Sequence, residues 1–142
     1  MLDGTYDFKL VNFILGFKEI EGFEDGTEIV AERAEDSFTS KVDVDGNVIR
    51  SRSNNNMGKI TFTLSQFSKS NAYLSTIANL DERTAAGVFP AKISDKSNPA
   101  SEHMIATESW IVKPSSKSYG RESGPREWVI ECANMNFLQS PL

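Results

Sequence analysis

The stretch Asp36–Gln66, DSFTSKVDVDGNVIRSRSNNNMGKITFTLSQ, decides how the rest of the chain is read. Near its end Ile60, Phe62 and Leu64 recur every second residue, with Thr61 and Thr63 between them. Successive side chains of a strand point to opposite faces, so this spacing predicts a strand with one face in the core. A second alternating segment, Phe38 to Val44, lies upstream, and a polar excursion from Asp45 to Gly58 separates the two. Asp45-Gly46-Asn47 carries turn chemistry, because Gly and Asn tolerate the positive φ that tight turns need. The run Arg50-Ser51-Arg52-Ser53-Asn54-Asn55-Asn56 is too long and too polar for a simple connection. It reads as a long inter-strand loop that reaches a neighbouring subunit.

Upstream, Tyr6 to Phe17 alternates at Tyr6, Phe8 and Leu10, then becomes almost continuously apolar. That pattern fits a strand covered on both faces near its end, with Gly16 marking a bend. Phe23 to Thr27 is a turn, and Glu28 to Arg33 a short strand. Downstream, Tyr73, Ile77 and Leu80, with Leu74 and Ala78 alongside, form the apolar stripe of a helix. Ser68 or Ser70 is placed to cap its first turn, and Gly87 to end it in the left-handed conformation. The stripe is core packing rather than a ligand groove. Strands return at Phe89–Ser94, His103–Val112 and Glu127–Phe137, separated by the loops Lys96–Pro99 and Pro114–Pro125. The expected fold is mainly β: a barrel or sandwich with one flanking α-helix, and no linker dividing residues 1–142.

With 142 residues and 39% apolar content the chain suits one domain with a full core. No run approaches the ~18–20 apolar residues that cross a bilayer. The start, Met1-Leu2-Asp3-Gly4, lacks the basic and apolar regions of a signal peptide. A lone Cys132 leaves no partner for an internal disulfide and no cysteine set for zinc, so a reducing cytoplasm is the expected folding environment. The formal charge of −5 argues against general nucleic-acid binding. Its distribution is uneven: residues 1–45 carry a net −8 and residues 46–142 a net +3. Glu24, Asp25, Glu28, Glu32, Glu35 and Asp36 concentrate the acids, whereas Arg50 and Arg52 lie in the polar loop. Segregated charge suits head-to-tail association, unless folding mixes the two segments on one surface.

Candidate chemistry is thin. Asp43-Val44-Asp45-Gly46-Asn47 has the look of a calcium loop, but its glycine is fourth rather than sixth and Asn54 stands where a Glu is needed. The turn reading prevails. His103, the only histidine, has Ser101 and Glu102 beside it, yet neighbours on a strand point apart and do not converge as a triad. Cys132 shares a face with Trp128 and Ile130 and reads as a small buried apolar residue. No phosphate-binding glycine loop, dinucleotide fingerprint or zinc-protease motif is present, so no catalytic, cofactor or metal residue is assigned. Arg50 and Arg52, and likewise Arg121 and Arg126, suit a wet protein contact better than a nucleic-acid arm, since no aromatics interleave with them. The competing class is a ligand-binding β module of the carbohydrate-binding kind, with Trp110, Tyr119 and Trp128 as stacking faces.

Taken in order, Glu32-Arg33, Glu35-Asp36-Ser37-Phe38, Asp45-Gly46, Arg50 through Asn56 and Gly58 through Leu64 resemble tail tube proteins of contractile-tailed bacteriophages. Trp110 to Pro114, Tyr119 to Glu122 and Arg126-Glu127-Trp128 extend the resemblance, which runs from about Tyr6 to Leu138. Such proteins are similar in fold to the haemolysin-coregulated protein of type VI secretion. The resemblance implies two packed antiparallel sheets, a flanking helix, six subunits per ring and rings stacked into a hollow tube in the virion. It implies partners too: sheath, tape-measure, baseplate and terminator proteins, with DNA passing through the lumen without specific binding. A single-ring terminator is the near alternative. Family proteins touch the adjacent ring through a long loop between early strands, and Asp45 to Met57 matches it by position. Asp45, Gly46, Asn47, Arg50, Arg52, Asn54, Asn55 and Asn56 are therefore the expected stacking residues, with the six acids above as their expected partners.

Overall fold

The computed structural model describes residues 1–98 and 101–139, so Pro99 of the Lys96–Pro99 loop lies outside the described residues. The pivotal strand forms where expected. β6, Gly58–Leu64, buries Ile60, Phe62 and Leu64 and turns Thr61 and Thr63 outward. Upstream of it lie β1 (Val11–Leu15), β2 (Lys18–Glu19), β3 (Val30–Arg33), β4 (Phe38–Val42) and β5 (Val48–Arg52). After the helix come β7 (Phe89–Asp95), β8 (Glu102–Ile111), β9 (Arg126–Cys132) and β10 (Met135–Gln139). Eight strands form one antiparallel sheet in the order β2-β1-β7-β8-β9-β6-β3, with β10 also on β8; β4 and β5 make a separate two-stranded sheet.

The large sheet is creased rather than closed. Along β7, Phe89 pairs with Ser109 but Ala91 pairs with Ala106, so β8 carries one extra residue at this point. Its inward residues accordingly change phase, from Met104 and Ala106 to Ser109 and Ile111. A bulge of this kind bends a strand and sharpens its twist. At the same level the run expected as one strand, Glu127–Phe137, breaks at Ala133-Asn134 into β9 and β10, pinned there by the Ala133 amide donating to the Glu108 carbonyl. The crease brings β1 and β6 face to face although three strands separate them in the sheet order. Phe13 and Phe62 then meet edge to face at 4.9 Å. The result is sandwich-like, two halves of one sheet enclosing Phe13, Leu15, Phe62, Leu64, Trp128 and Ile130.

Helix α1, Ser70–Thr84, covers one open side. Its buried line is Ser70, Leu74 and Ala78, with Tyr73 and Ile77 packed alongside. Leu80, expected within the stripe, is 41% exposed. The serines work differently from simple caps. Ser68 Oγ accepts from the Ser70 amide at 3.2 Å, while Ser70 Oγ accepts from the Glu21 amide at 3.0 Å and ties the helix start to the chain after β2. At the other end Ala85, not Gly87, takes the left-handed conformation (φ 57°). Gly87 matters for closeness instead, because a Cβ there would meet Asp81 Cβ at 2.5 Å. Gly16 does adopt positive φ, in the two-residue turn joining β1 to β2.

A candidate assembly interface

The polar excursion does not behave as one loop. The hairpin β4–β5 pairs Phe38 with Arg52 through to Val42 with Val48, and each of its strand residues is exposed. The turn between them is built by Asp43, whose Oδ1 accepts from the amides of Asp45 (2.9 Å) and Asn47 (2.8 Å). Gly46 supplies the positive φ of 84°. The Asp43 carboxylate is thus a turn-forming group. Arg50 lies on a strand, not in a loop, with its guanidinium over the Phe38 ring at 4.2 Å. Val42, Val44, Val48 and Ile49 are all more than half exposed. An isolated two-stranded hairpin is marginal in water. This one, here called the arm, keeps apolar side chains and both outer strand edges uncovered.

The eight expected stacking residues therefore occupy three places. Asp45, Gly46 and Asn47 are at the tip, and Arg50 and Arg52 on the shaft. Asn54, Asn55 and Asn56 form a strap at the base, where the Asn56 carbonyl accepts from the Met135 amide at 2.9 Å. Asn55 is turned inward on itself, its Oδ1 accepting from the Met57 amide. The base is held further by Arg33, whose Nε donates to the Met135 carbonyl at 3.0 Å.

The six acids divide as well. Glu35 and Asp36 line a cleft at the base of the arm together with Arg52 and Ser53, and Ser53 Oγ donates to Glu35 Oε2 at 3.2 Å. Glu32 stands opposite Lys59 in the β3–β6 pair. Glu24 is elsewhere: its amide donates to the Thr63 carbonyl at 3.1 Å, at the far end of β6. Asp25 and Glu28 flank that point in sequence. Five residues of strand, roughly 17 Å at about 3.3 Å each, separate this end from the arm's attachment at Gly58. Glu24, Asp25 and Glu28 thus lie toward the opposite end of β6 from the arm.

The far end also holds something the sequence did not single out. On the outer face of β6 and β9, the loop after β8 roofs a cleft of about 400 Å³ lined by Lys113, Lys117, Thr63, Pro125, Glu127 and Val129, with serines of the loop. Both lysines are exposed. The signal was present in Lys113-Pro114-Ser115-Ser116-Lys117, but nothing in its spacing reveals that the loop folds back over the sheet. Arg126, expected at a protein contact, is instead 5% exposed and anchors this loop. Its Nη1 donates to the carbonyls of Gly124 (3.0 Å) and Pro125 (3.2 Å). Arg121 remains exposed.

The residues weighed for chemistry scatter. Trp128 is in the core, its Nε1 donating to Asn71 Oδ1 at 3.0 Å; Trp110 donates to Glu131 Oε2 at 3.1 Å; Tyr119 is 78% exposed on the loop. They form no common stacking platform. His103 Nδ1 is buried without a hydrogen-bond partner among the described residues. Cys132 is fully buried, with Ser109 Oγ donating to its sulfur at 3.3 Å. Burial pushes the thiol up from its ordinary value, outweighing the Ser109 hydrogen bond, and the Glu131 charge adds to the rise. A protonated, buried thiol is a poor nucleophile. The folded protein should therefore leave a thiol reagent such as dithiobisnitrobenzoate unreacted at pH 8 and react promptly once denatured. Fast modification of the native form would contradict the buried placement.

The fold is a creased antiparallel sandwich with one covering helix and a projecting, exposed hairpin. The same fold occurs in a chain of the sheath/tube terminator of the extracellular contractile injection system PVC in its extended state. The TM-score there is 0.69 at 11% identity, over 97% of this chain and 99% of that one. It occurs in the PVC sheath–tube complex (TM-score 0.66, 12% identity, 97% and 94% covered) and in the tube-terminating cap of the anti-feeding prophage (0.63, 11%, 99% and 95%). In sequence the chain is 28% identical over 120 residues to structural protein ORF10 of Pseudomonas phage KPP10, covering 83% of this chain and 68% of that protein. Residues 9–139 match the family model of the bacteriophage PhiTE tail tube protein, and the chain belongs to that family. It is a phage tail structural protein of the tail-tube type.

Proposed function

We propose that residues 1–142 act as one tail-tube domain, six copies closing into a ring and rings stacking into a hollow conduit for DNA. In this reading assembly takes place in the host cytoplasm, without catalysis or cofactor. The sheath surrounds the tube, the tape-measure protein sets its length, and baseplate and terminator proteins close its ends. The observation that carries the reading is the arm: a hairpin leaving the body at Gly58 with its apolar side chains uncovered, while Glu24, Asp25 and Glu28 sit at the opposite end of β6. Contacts that join unlike surfaces repeat, in a ring when the rotation closes and along an axis when it does not. A net charge of −5 suits a wall past which DNA slides, since like charge keeps phosphate from sticking.

A single-ring terminator is the second reading, favoured by the likeness to a sheath/tube terminator and a terminating cap. Sedimentation velocity separates the two. A tube subunit gives a concentration-dependent series beyond one ring, whereas a terminator stops at one ring. Because the axial contact in this reading pairs exposed charges, raising salt from 0.05 to about 0.5 M should shift the series back toward single rings, the Debye length falling below about 5 Å. A species that stays monomeric at every concentration and salt would count against both.

A further inference from the structure

We propose that the cleft roofed by Lys113–Ser118 is the acceptor for the tip of the arm, Asp43–Asn47, of a second copy of this chain. The inference rests on the stacking reading above and names the two surfaces that meet. Geometry places them suitably. The arm joins the body at the Gly58–Cys132 end of the β6–β9 pair, and the cleft lies at the Thr63–Glu127 end. One subunit thus offers the arm at one end and the cleft at the other, as a head-to-tail contact requires.

Charge places them suitably too. The tip carries Asp43 and Asp45 on either side of Val44, whose side chain is fully exposed. Asp43 uses Oδ1 to hold the turn, and the neighbouring Asp45 is exposed. The cleft presents two exposed ammonium groups and several hydroxyls against one carboxylate, Glu127, and Pro125 and Val129 give Val44 an apolar floor. Along the arm the sign then reverses: the first shaft arginine, Arg50, is two residues below the Val42–Val48 pair that closes the turn. On the acceptor an acidic residue lies next to the cleft, because the Glu24 amide donates to the carbonyl of Thr63, which itself lines the cleft. Acid on lysine at the tip and arginine on acid at the shaft make one register favourable and a slipped one repulsive.

The test is reciprocal charge exchange read by stack length. Asp43→Asn with Asp45→Lys removes the acidic tip while keeping an Oδ1 acceptor for the turn. Lys113→Asp with Lys117→Asp reverses the cleft. Each pair should raise the concentration at which rings stack by at least about tenfold, with thermal unfolding and single-ring formation unchanged. The chain carrying all four changes should recover stacking. Normal stacking by the Lys113→Asp/Lys117→Asp chain would overturn the cleft as acceptor and leave the tube reading intact. Loss in both pairs without recovery in combination would overturn direct tip-to-cleft pairing. Failure of the unaltered protein to stack at any concentration would overturn the tube reading, and this inference with it.

Discussion

Reversing both shaft charges, Arg50→Glu with Arg52→Glu, should abolish ring stacking at micromolar protein while leaving the subunit folded. The two arginines share one face of a hairpin that is exposed along its whole length, so no core contact depends on them. Locally the double change removes the Arg50–Phe38 cation–π contact, worth about 0.5–1 kcal/mol at an exposed site, and the Arg52 charge from the cleft it shares with Glu35 and Asp36. In the proposed stacking the assembled loss is larger, because a glutamate at position 50 would approach Glu24 or Asp25 of the next copy, and like charges brought together at an interface cost several kcal/mol. Circular dichroism and the unfolding midpoint should therefore stay near the unaltered values while negative-stain images show single rings. Tubes of unchanged length would take the shaft out of the mechanism.

The second large effect is on folding. Trp128→Ala should destabilise the subunit by about 3–5 kcal/mol, the usual cost of emptying an aromatic-sized hole in a packed core. Trp128 lies at the centre of the sandwich, 1% exposed and paired across β6–β9 with Phe62. Its indole N–H also satisfies Asn71 Oδ1, which joins the core to the first turn of α1. Domains of this size are stable by only about 5–15 kcal/mol, so the variant should melt many degrees lower and assemble poorly at 37 °C. Urea unfolding measures it directly. A shift of the midpoint worth less than about 1 kcal/mol would show that the core relaxes into the space.

The contrast between these two sites also explains what the sequence did and did not disclose. β6 was legible because burial on one face forces alternation, and Ile60, Phe62 and Leu64 obey it. Cys132 was legible for the same reason, through Trp128 and Ile130. β5 was not. A strand with solvent on both faces has no apolar period to display, so Val48-Ile49-Arg50-Ser51-Arg52 read as loop although it pairs residue for residue with β4. The break at Ala133-Asn134 was hidden because it carries no glycine or proline; the bulge opposite it, in β8, is a property of register and not of composition. Among the candidate residues, the turn at Asp45-Gly46-Asn47 was readable from its composition, whereas the grouping of the acids was not. β3 carries the chain from one end of β6 to the other between Glu28 and Glu32, so acids adjacent in sequence arrive at opposite ends of the molecule. The lysine cleft depended on where Arg126 pulls its loop, which no spacing announces.

The proposed assembly requires that the arm be covered by another copy of the same chain. Electron microscopy of the assembled protein, at a resolution that traces strands, tests it most directly. Stacked rings in which every β4–β5 hairpin is buried against a neighbouring subunit are the expected result. Assemblies, or monomers at high concentration, in which that hairpin remains in solvent would contradict it.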